Sequence, residues 1–376
     1  MHAIVSDSNN TRCPRYVKVD VAIIGSGPGG ALAAYELADS GLDVLLLEKQ
    51  RLPRVKPCGG LMPGFVRRLT DCPLDQLIDH RVARIDYFYR FEQPQSTQLD
   101  HPELLLSHRA DFDAGIVEFA VKKSRGNVTI RDGIQLTGID EQADGITIRT
   151  GLDTIHARAV IAADGASSDT ARHLGMEPPR KHPAAIDAEI EVSEPFYEKV
   201  CERLIFNYFY LPAGYGWIFP KSNRMLSCGV GSWGSAQLPL KKIMAKYIAD
   251  SIPAGDIISM VQRGHPIPAY SGPRAIATKR ACVVGDAAGL VDPVTGEGIR
   301  YALISGQLAA QTVKEYLLDQ DSARPDGLDC RAYQQRVQNS IGKTLEAIYR
   351  YQVLPFKQAP DYYYRKFIQG GWGKGA

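Results

Sequence analysis

No apolar run in these 376 residues approaches the length of a membrane span. The N-terminus, with Asp7, Ser8, Asn9, Asn10 and Thr11, lacks the apolar core of a signal peptide. A soluble or peripherally attached chain is therefore expected. The 7 cysteines are odd in number and widely spaced, with no Cys-x-x-Cys pair. That pattern argues against a disulfide framework or a zinc site and for reduced thiols in the cytoplasm. The 8 histidines show no His-x-x-x-His spacing, so no metal is expected. With 44 Lys and Arg against 42 Asp and Glu, the net charge of +2 gives no footprint for nucleic acid. A Gly-x-Ser-x-Gly elbow and internal repeats are absent as well. What remains is a chain long enough for two intimately joined domains.

The apolar periods then set out the elements. Residues 1–17 read as a polar lead-in. Val19 to Ile24 is an apolar run that ends in glycines, as a buried parallel strand would. A helix over Ala31 to Ser40, stopped by Gly41, and a strand over Val44 to Leu47 complete one βαβ unit. Val82 to Phe91 and Leu204 to Tyr210 are aromatic-rich and suit an antiparallel sheet. Asp111 to Lys123 reads as helix, followed by strands near 128–130, 134–139, 145–150 and 159–162. The stretch 178–183 reads as a crossing between domains. The expected fold class is α/β: a Rossmann-like dinucleotide-binding domain, an inserted antiparallel-sheet substrate domain and a C-terminal helical segment. The first domain takes 18–82, 101–175 and 275–310; the second takes 83–100 and 176–274; the helical segment takes 311–376.

Two motifs carry the chemistry. Gly25-Ser26-Gly27-Pro28-Gly29-Gly30 fits G-x-G-x-x-G between a strand and a helix. Gly25 permits the turn, Gly27 lets backbone approach a pyrophosphate, and Gly30 lets helix and strand pack closely. Glu48 ends the next strand where an acid accepts hydrogen bonds from an adenosine ribose. The fingerprint alone does not separate NAD from FAD. Far downstream, Arg280 to Arg300 presents a strand, Gly285-Asp286, and a turn at Gly296-Glu297-Gly298 that opens a helix near Gly296. Asp286 is placed for a ribityl hydroxyl, and the helix start suits negative charge on a reduced flavin. Together the two motifs indicate FAD. With one dinucleotide fingerprint only, electrons are expected from a transiently docked NADPH or a reduced, ferredoxin-like redox protein.

The fingerprint, Asp164-Gly165 and Gly285-Asp286 together resemble the flavoprotein group typified by para-hydroxybenzoate hydroxylase. Within that group, Pro53 to Gly60, Pro212 to Pro220 and Asp292 to Ile299 resemble the geranylgeranyl reductase family over about residues 18–310. The resemblance implies hydride transfer from reduced FAD to isolated carbon–carbon double bonds of polyprenyl chains. Carried over by position, it implies FAD contacts at Gly29, Glu48, Cys58, Gly59, Arg109, Asp286, Gly298 and Ile299. Lys49 beside Glu48, Gly60 beside Gly59, and Gly296 complete the candidate set with Gly25, Gly27 and Gly30. Tyr215, Trp217 and Phe219 would line the tunnel for the prenyl tail of a prenyl lipid or prenyl diphosphate.

The residues speak for such a role separately. An unconjugated alkene offers nothing to hydrogen-bond or polarise, so catalysis rests on holding it against the flavin in a dry slot. Aromatic walls supply apolar area with few rotamers to freeze. Alternating aromatics on a strand also suit plain core packing. Cys58 reads as a flavin contact, a redox gate or a small filler; Lys56 as a phosphate or cofactor contact or a solvated cation. No side chain stands out as a general acid. From Lys343 onward, aromatic and basic residues mix, which suits either a peripheral membrane contact or a helix closing over the substrate domain. Two other readings use the same scaffold: a flavin monooxygenase or halogenase, and a non-catalytic prenyl-binding chaperone.

Overall fold

The structure is a computed structural model that describes residues 15–353 apart from 152, 178, 180–183, 233–237 and 319–328. The expected domain crossing at 178–183 lies almost wholly outside the described residues, as do the aromatics from Phe356 onward. The apolar run ending at Ile24 is the carboxyl part of strand Arg15–Ile24. Its polar first residues, assigned above to the lead-in, pair with Asp153 to Ile155. Hydrophobic patterning misses that extension because a solvated strand end needs no apolar face.

Arg15–Ile24 lies between Val44–Glu48 and Asp153–Ala162, parallel to both. Val128–Asp132 adds outside Val44–Glu48, and Ala281–Val283 pairs with the carboxyl end of Asp153–Ala162. The hairpin Leu136–Glu141 and Ile146–Thr150 pairs antiparallel with that long strand's other end. Such a parallel sheet has its topological switch point beside Arg15–Ile24, where successive connections leave toward opposite edges. Ligands bind in the crevice beyond the carboxyl ends there.

Helix Pro28–Leu37 leaves that point with nine of its ten residues buried. It packs against the long helix Ile299–Leu318 through small residues. A Cβ on Gly306 would lie 2.1 Å from the Gly29 carbonyl oxygen, and one on Gly29 would lie 2.9 Å from that of Ala302. Backbone therefore meets backbone, and the start of the first helix is located by the second.

The second sheet runs, by neighbours, Ile257–Pro266, Ala184–Val192, Met225–Ser232, Gly214–Pro220, Arg203–Tyr208, Arg84–Tyr89 and Glu92–Gln98. Its pairs are antiparallel except one: Arg203–Tyr208 and Arg84–Tyr89 run parallel. These two strands were expected to fit an antiparallel sheet. No hairpin joins them, so nothing local sets their direction. One face, with Ile186, Ala188, Ile190, Cys228 and Val230, packs on helix Leu240–Ser251 through Met244, Tyr247 and Ile248. The opposite face turns toward the first sheet.

In the C-terminal part, Cys330, Tyr333, Val337, Ile341 and Leu345 enter the core under the first sheet. Tyr333 donates to the Val283 carbonyl at 2.9 Å. The described part of this segment therefore closes on the dinucleotide side, and not over the substrate domain as one reading above had it.

Gly306→Ala tests the helix crossing. Alanine's better helix propensity is worth up to about 1 kcal/mol, but overpacking against backbone costs about 1–3 kcal/mol. The variant is expected to unfold at lower urea concentration and to retain less flavin; an unchanged midpoint with full flavin content would contradict this packing account.

Candidate active site

At the switch point the fingerprint glycines separate into two uses. Gly25 has φ of +100°, and a Cβ there would lie 2.4 Å from the Ala163 carbonyl oxygen. A Cβ on Gly30 would strike the Gly25 carbonyl at 2.0 Å. Both are packing requirements. Around Gly27 there is room instead: the nearest atoms to a Cβ would be Arg54 Nη2 at 3.8 Å and Arg109 Nη2 at 4.0 Å. A backbone cradle beneath two guanidinium groups, at a helix N-terminus, fits a phosphate-bearing ligand.

Those arginines are anchored in a buried four-charge cluster. Arg54 Nε lies 3.2 Å from Glu48 Oε2, and its Nη1 donates to Asp113 Oδ2 at 3.0 Å. Arg109 donates to both oxygens of Asp113, at 2.9 and 2.8 Å. Burial pushes the Glu48 carboxyl up, but the Arg54 charge and the Ser26 hydrogen bonds more than offset it and hold it below the ordinary range. Arg54 and Asp113 were not singled out from sequence. An arginine in a Pro-rich loop and an aspartate one helical turn after Arg109 carry no signal until the fold joins them. Lys49, the next residue after Glu48, is exposed and stands outside the cavity.

Beyond Gly27 opens a largely apolar cavity of about 330 Å³, within the range of small-molecule sites. Cys58, Gly59, Gly60, Arg109, Gly296, Gly298 and Ile299 line it, with Lys56, Asp286 and His265. Lys56 Nζ donates to Asp286 Oδ2 at 3.2 Å, so Lys56 belongs to the site and is not a solvated surface cation. His265 is pulled down to about 4 by burial and then by the Lys56 charge. Its Nε2 is buried with no hydrogen-bond partner among the described residues. Helix Ile299–Leu318 begins after Gly298 and not near Gly296. The residues before it form a loop tied by Asp292, whose Oδ1 accepts from Val294 N and Thr295 N. Burial pushes Glu297 up to about 7, against the pull of Arg300.

The facing wall is the free side of the second sheet. Tyr215, Trp217 and Phe219 alternate onto it, and register sets Trp217 opposite Phe206 and Tyr215 opposite Tyr208. All three predicted wall residues are buried and line the cavity. Tyr215 Oη donates to the Thr295 carbonyl, hooking the wall to the Asp292 loop. From the other side, a Cβ on Gly59 would meet the Phe219 ring at 2.8 Å. Trp217 lies across the neighbouring strand because Gly229 is bare: a Cβ there would strike the indole at 2.1 Å. The Gly229-Val230-Gly231 spacing on a strand was the sequence signal for this, and it went unread.

The wall is not wholly apolar. Trp217 Nε1 donates to Ser227 Oγ at 3.1 Å, and Ser227 Oγ donates to Asp187 Oδ1 at 2.6 Å. Beside them, buried Lys221 Nζ lies 3.4 Å from Glu189 Oε1, with His108 Nδ1 at 3.6 Å from the same oxygen.

A family model described as an FAD binding domain matches residues 18–239. The chain is 30% identical to a digeranylgeranylglycerophospholipid reductase of Thermoplasma volcanium, over 80% of this chain and 79% of that protein. It is 32% identical to the chloroplastic geranylgeranyl diphosphate reductase of Arabidopsis thaliana, over 79% of this chain but 66% of the longer plant protein. The solved structure of a geranylgeranyl bacteriochlorophyll reductase-like protein of Thermoplasma acidophilum superposes with a TM-score of 0.74 at 25% identity, covering 88% and 86% of the two chains. The chain belongs to the geranylgeranyl reductase family. As a member of it, the protein is an FAD-binding oxidoreductase. Among the described residues of this reductase-family chain, no helix is long and apolar enough to cross a membrane.

The charged flank of the wall sets a pH dependence. The His108 imidazole, with the Lys221 charge and against burial, holds Glu189 down to about 2, below its ordinary 4.5. Its ionised form therefore stabilises the fold above pH 4.5, and that contribution disappears as pH falls toward 2. Glu189→Gln is expected to be less stable than wild type at neutral pH, with the gap in urea midpoint closing across pH 4.5 to 2. A gap of constant size would contradict the assignment.

Proposed function

We propose that this protein saturates carbon–carbon double bonds of a geranylgeranyl or related polyprenyl group, with FAD as the resident cofactor. One observation carries the reading furthest: a largely apolar, aromatic sheet face, with its rings already packed, stands directly across from the loop Cys58 to Gly60. The geranylgeranyl and digeranylgeranyl compounds named for the relatives above are the substrates this slot suits.

In this reading the Gly27 cradle, Arg54 and Arg109 take the pyrophosphate, Glu48 faces the adenosine ribose, and Asp286 with Lys56 faces the ribityl chain. Cys58, Gly59, Gly60 and the Gly296 to Ile299 turn, which line the cavity, would hold the ring system. When bound and reduced, FAD supplies a hydride. The chain supplies alignment and exclusion of water. Phe206, Tyr215, Trp217 and Phe219 hold the alkene flat, with rings already packed against one another at 5.1 to 6.2 Å between centroids. Such preorganisation leaves little side-chain entropy to lose on binding. Electrons come from NADPH or a reduced ferredoxin-like protein in the cytoplasm, and a lipid substrate is met at the membrane surface.

The test is anaerobic. Photoreduced holoprotein is mixed with geranylgeranyl diphosphate or a geranylgeranylated glycerophospholipid, while flavin reoxidation and product mass are followed. Reoxidation coupled to a gain of two hydrogens per reduced bond is expected. An oxygen requirement with hydroxylated product, or no reaction with any prenyl compound, would defeat the proposal. Trp217→Ala, which removes the centre of the wall, is expected to lower kcat/KM by at least about tenfold, or about 1.4 kcal/mol of transition-state stabilisation, in the same assay; an unchanged value would remove Trp217 from the slot.

A further inference from the structure

Saturating an alkene takes a proton as well as a hydride, and a dry apolar slot has no obvious source of one. The wall itself holds one unexplained acid. Asp187 is 7% exposed, lies on the cavity face of strand Ala184–Val192, and lines the cavity two strands from the Trp217 indole. We infer that Asp187 is the proton donor of alkene reduction, aimed by the Trp217–Ser227 pair; this deepens the function proposed above and rests on it.

Donor and acceptor inventory fixes the direction of the hydrogen bonds. An indole N–H only donates, so Ser227 Oγ must accept from Trp217 Nε1. The Ser227 hydroxyl proton is then left for Asp187 Oδ1. Oδ1 is thereby committed as an acceptor, and a proton carried by Asp187 sits on Oδ2.

Burial, above all, raises Asp187 over its ordinary range. Ser227 and the Lys221 charge pull it back, Glu189 pushes it further up, and the Trp217 indole N–H also pulls it down. Arg263 stands opposite it in register on the edge strand, exposed, and His265 follows two residues on. Cys228, on the neighbouring strand, completes the titratable surroundings. Among the other acids and bases of the cavity, Asp286 accepts from Lys56. Glu297 is held by the Arg300 backbone N–H and guanidinium. Tyr215 gives its proton to Thr295. His265, at about 4, is unprotonated at neutral pH.

The step balances. A hydride with its electron pair, from the reduced flavin, forms a C–H bond at one alkene carbon. The π pair takes the Oδ2 proton to form a C–H bond at the other, and the O–H electrons stay on Asp187 as carboxylate. The flavin is oxidised by two electrons and the alkene reduced by two. Water reaching the Lys221, Glu189 and His108 flank, where Glu189 is partly exposed, returns the proton.

Asp187→Asn keeps the volume and removes the acid. In the anaerobic single-turnover assay it is expected to lose at least about 100-fold in alkene reduction, the lower end for general acid catalysis. Flavin content and chemical reduction of the flavin should stay unchanged, and Asp187→Glu should restore part of the rate. Independently of activity, the infrared spectrum of oxidised wild-type holoprotein should hold a protonated-carboxyl band at neutral pH that the Asn variant lacks. The wild-type rate should fall at high pH, where the acid ionises. Ser227→Ala removes a bond that favours the ionised form, so that limb should move to higher pH. An Asn variant within threefold of wild type, no lost carboxyl band, or an unmoved limb in Ser227→Ala would overturn the assignment. No turnover by wild type with any prenyl compound would overturn the underlying function as well, and is told apart by that absence.

Discussion

Two arginines and two carboxylates buried together beside Gly27 are the constraint on which the rest of the site depends. Burying one of these charges alone would cost several kcal/mol, and even a pair returns that cost only with good geometry. Here Glu48 comes from the end of a strand, Arg54 from the following loop, and Arg109 and Asp113 from one turn of helix Arg109–Ser124. Arg109 and Asp113 pair within one helical turn, but the four charges are joined into one cluster only when all three chain segments meet. Asp113 binds both arginines and fixes their separation; Arg54 Nη2 and the Asp113-bound Nη2 of Arg109 both lie near Gly27. Removing Asp113 would leave Arg109 buried without its carboxylate and Arg54 held by Glu48 alone, which is worse for the fold than never having had the cluster. The cluster is thus a structural requirement that also presents positive charge where an anionic ligand approaches bare backbone.

The second sheet solves a different problem. Its two faces have to do opposite things: one packs on helix Leu240–Ser251, and the other borders a cavity. Period-two alternation makes that possible within one strand, since Ile218 enters the helix-side core while Trp217 and Phe219 face the cavity. Gly229 then lets the Trp217 ring lie over the neighbouring strand and reach Ser227, so a polar chain crosses an otherwise apolar wall. Tyr215 ties this wall to the Asp292 loop. Cradle and wall are in this way held in one geometry by side chains from both sheets.

How much of this was legible from sequence follows from the range of each interaction. The glycine fingerprint, Glu48 and the aromatic alternation at 215, 217 and 219 are local patterns, and they read directly. Strand direction at Arg84–Tyr89 and Arg203–Tyr208 is not local, and the expected antiparallel sheet missed the parallel pair. The helix start was placed near Gly296 because glycines resemble a turn into a helix; Asp292 instead folds those residues into a loop, and helix begins at Ile299. Lys56 looked like a solvated lysine until the fold set it against Asp286, 230 residues away. Arg54, Asp113, Asp187 and Ser227 belong to the same class. A charged or hydroxyl side chain announces nothing about its role until its partner is known, and none of these partners is a near neighbour on a repeating pattern.

The distribution of charge across the cavity gives the last step. Cations gather on the cradle side: Lys56, Arg54 and Arg109 all face the region between Gly27 and Asp286. The wall side carries an acid that burial favours in its neutral form. Exchanging the two would not work. A cation on the wall would demand an anion or water in the slot, and water there would screen the charges of the cradle. A neutral acid in a dry wall makes neither demand, since it can hold a proton without a counter-ion. The polar atoms of the wall are also bonded to one another in sequence, from indole to hydroxyl to carboxyl, so the slot stays apolar to a ligand that has no hydrogen bonds to offer. On the proposed function, such a surface would discriminate against polar substrates through the cost of unpaired groups and accept a hydrocarbon chain, which needs no partner from the wall.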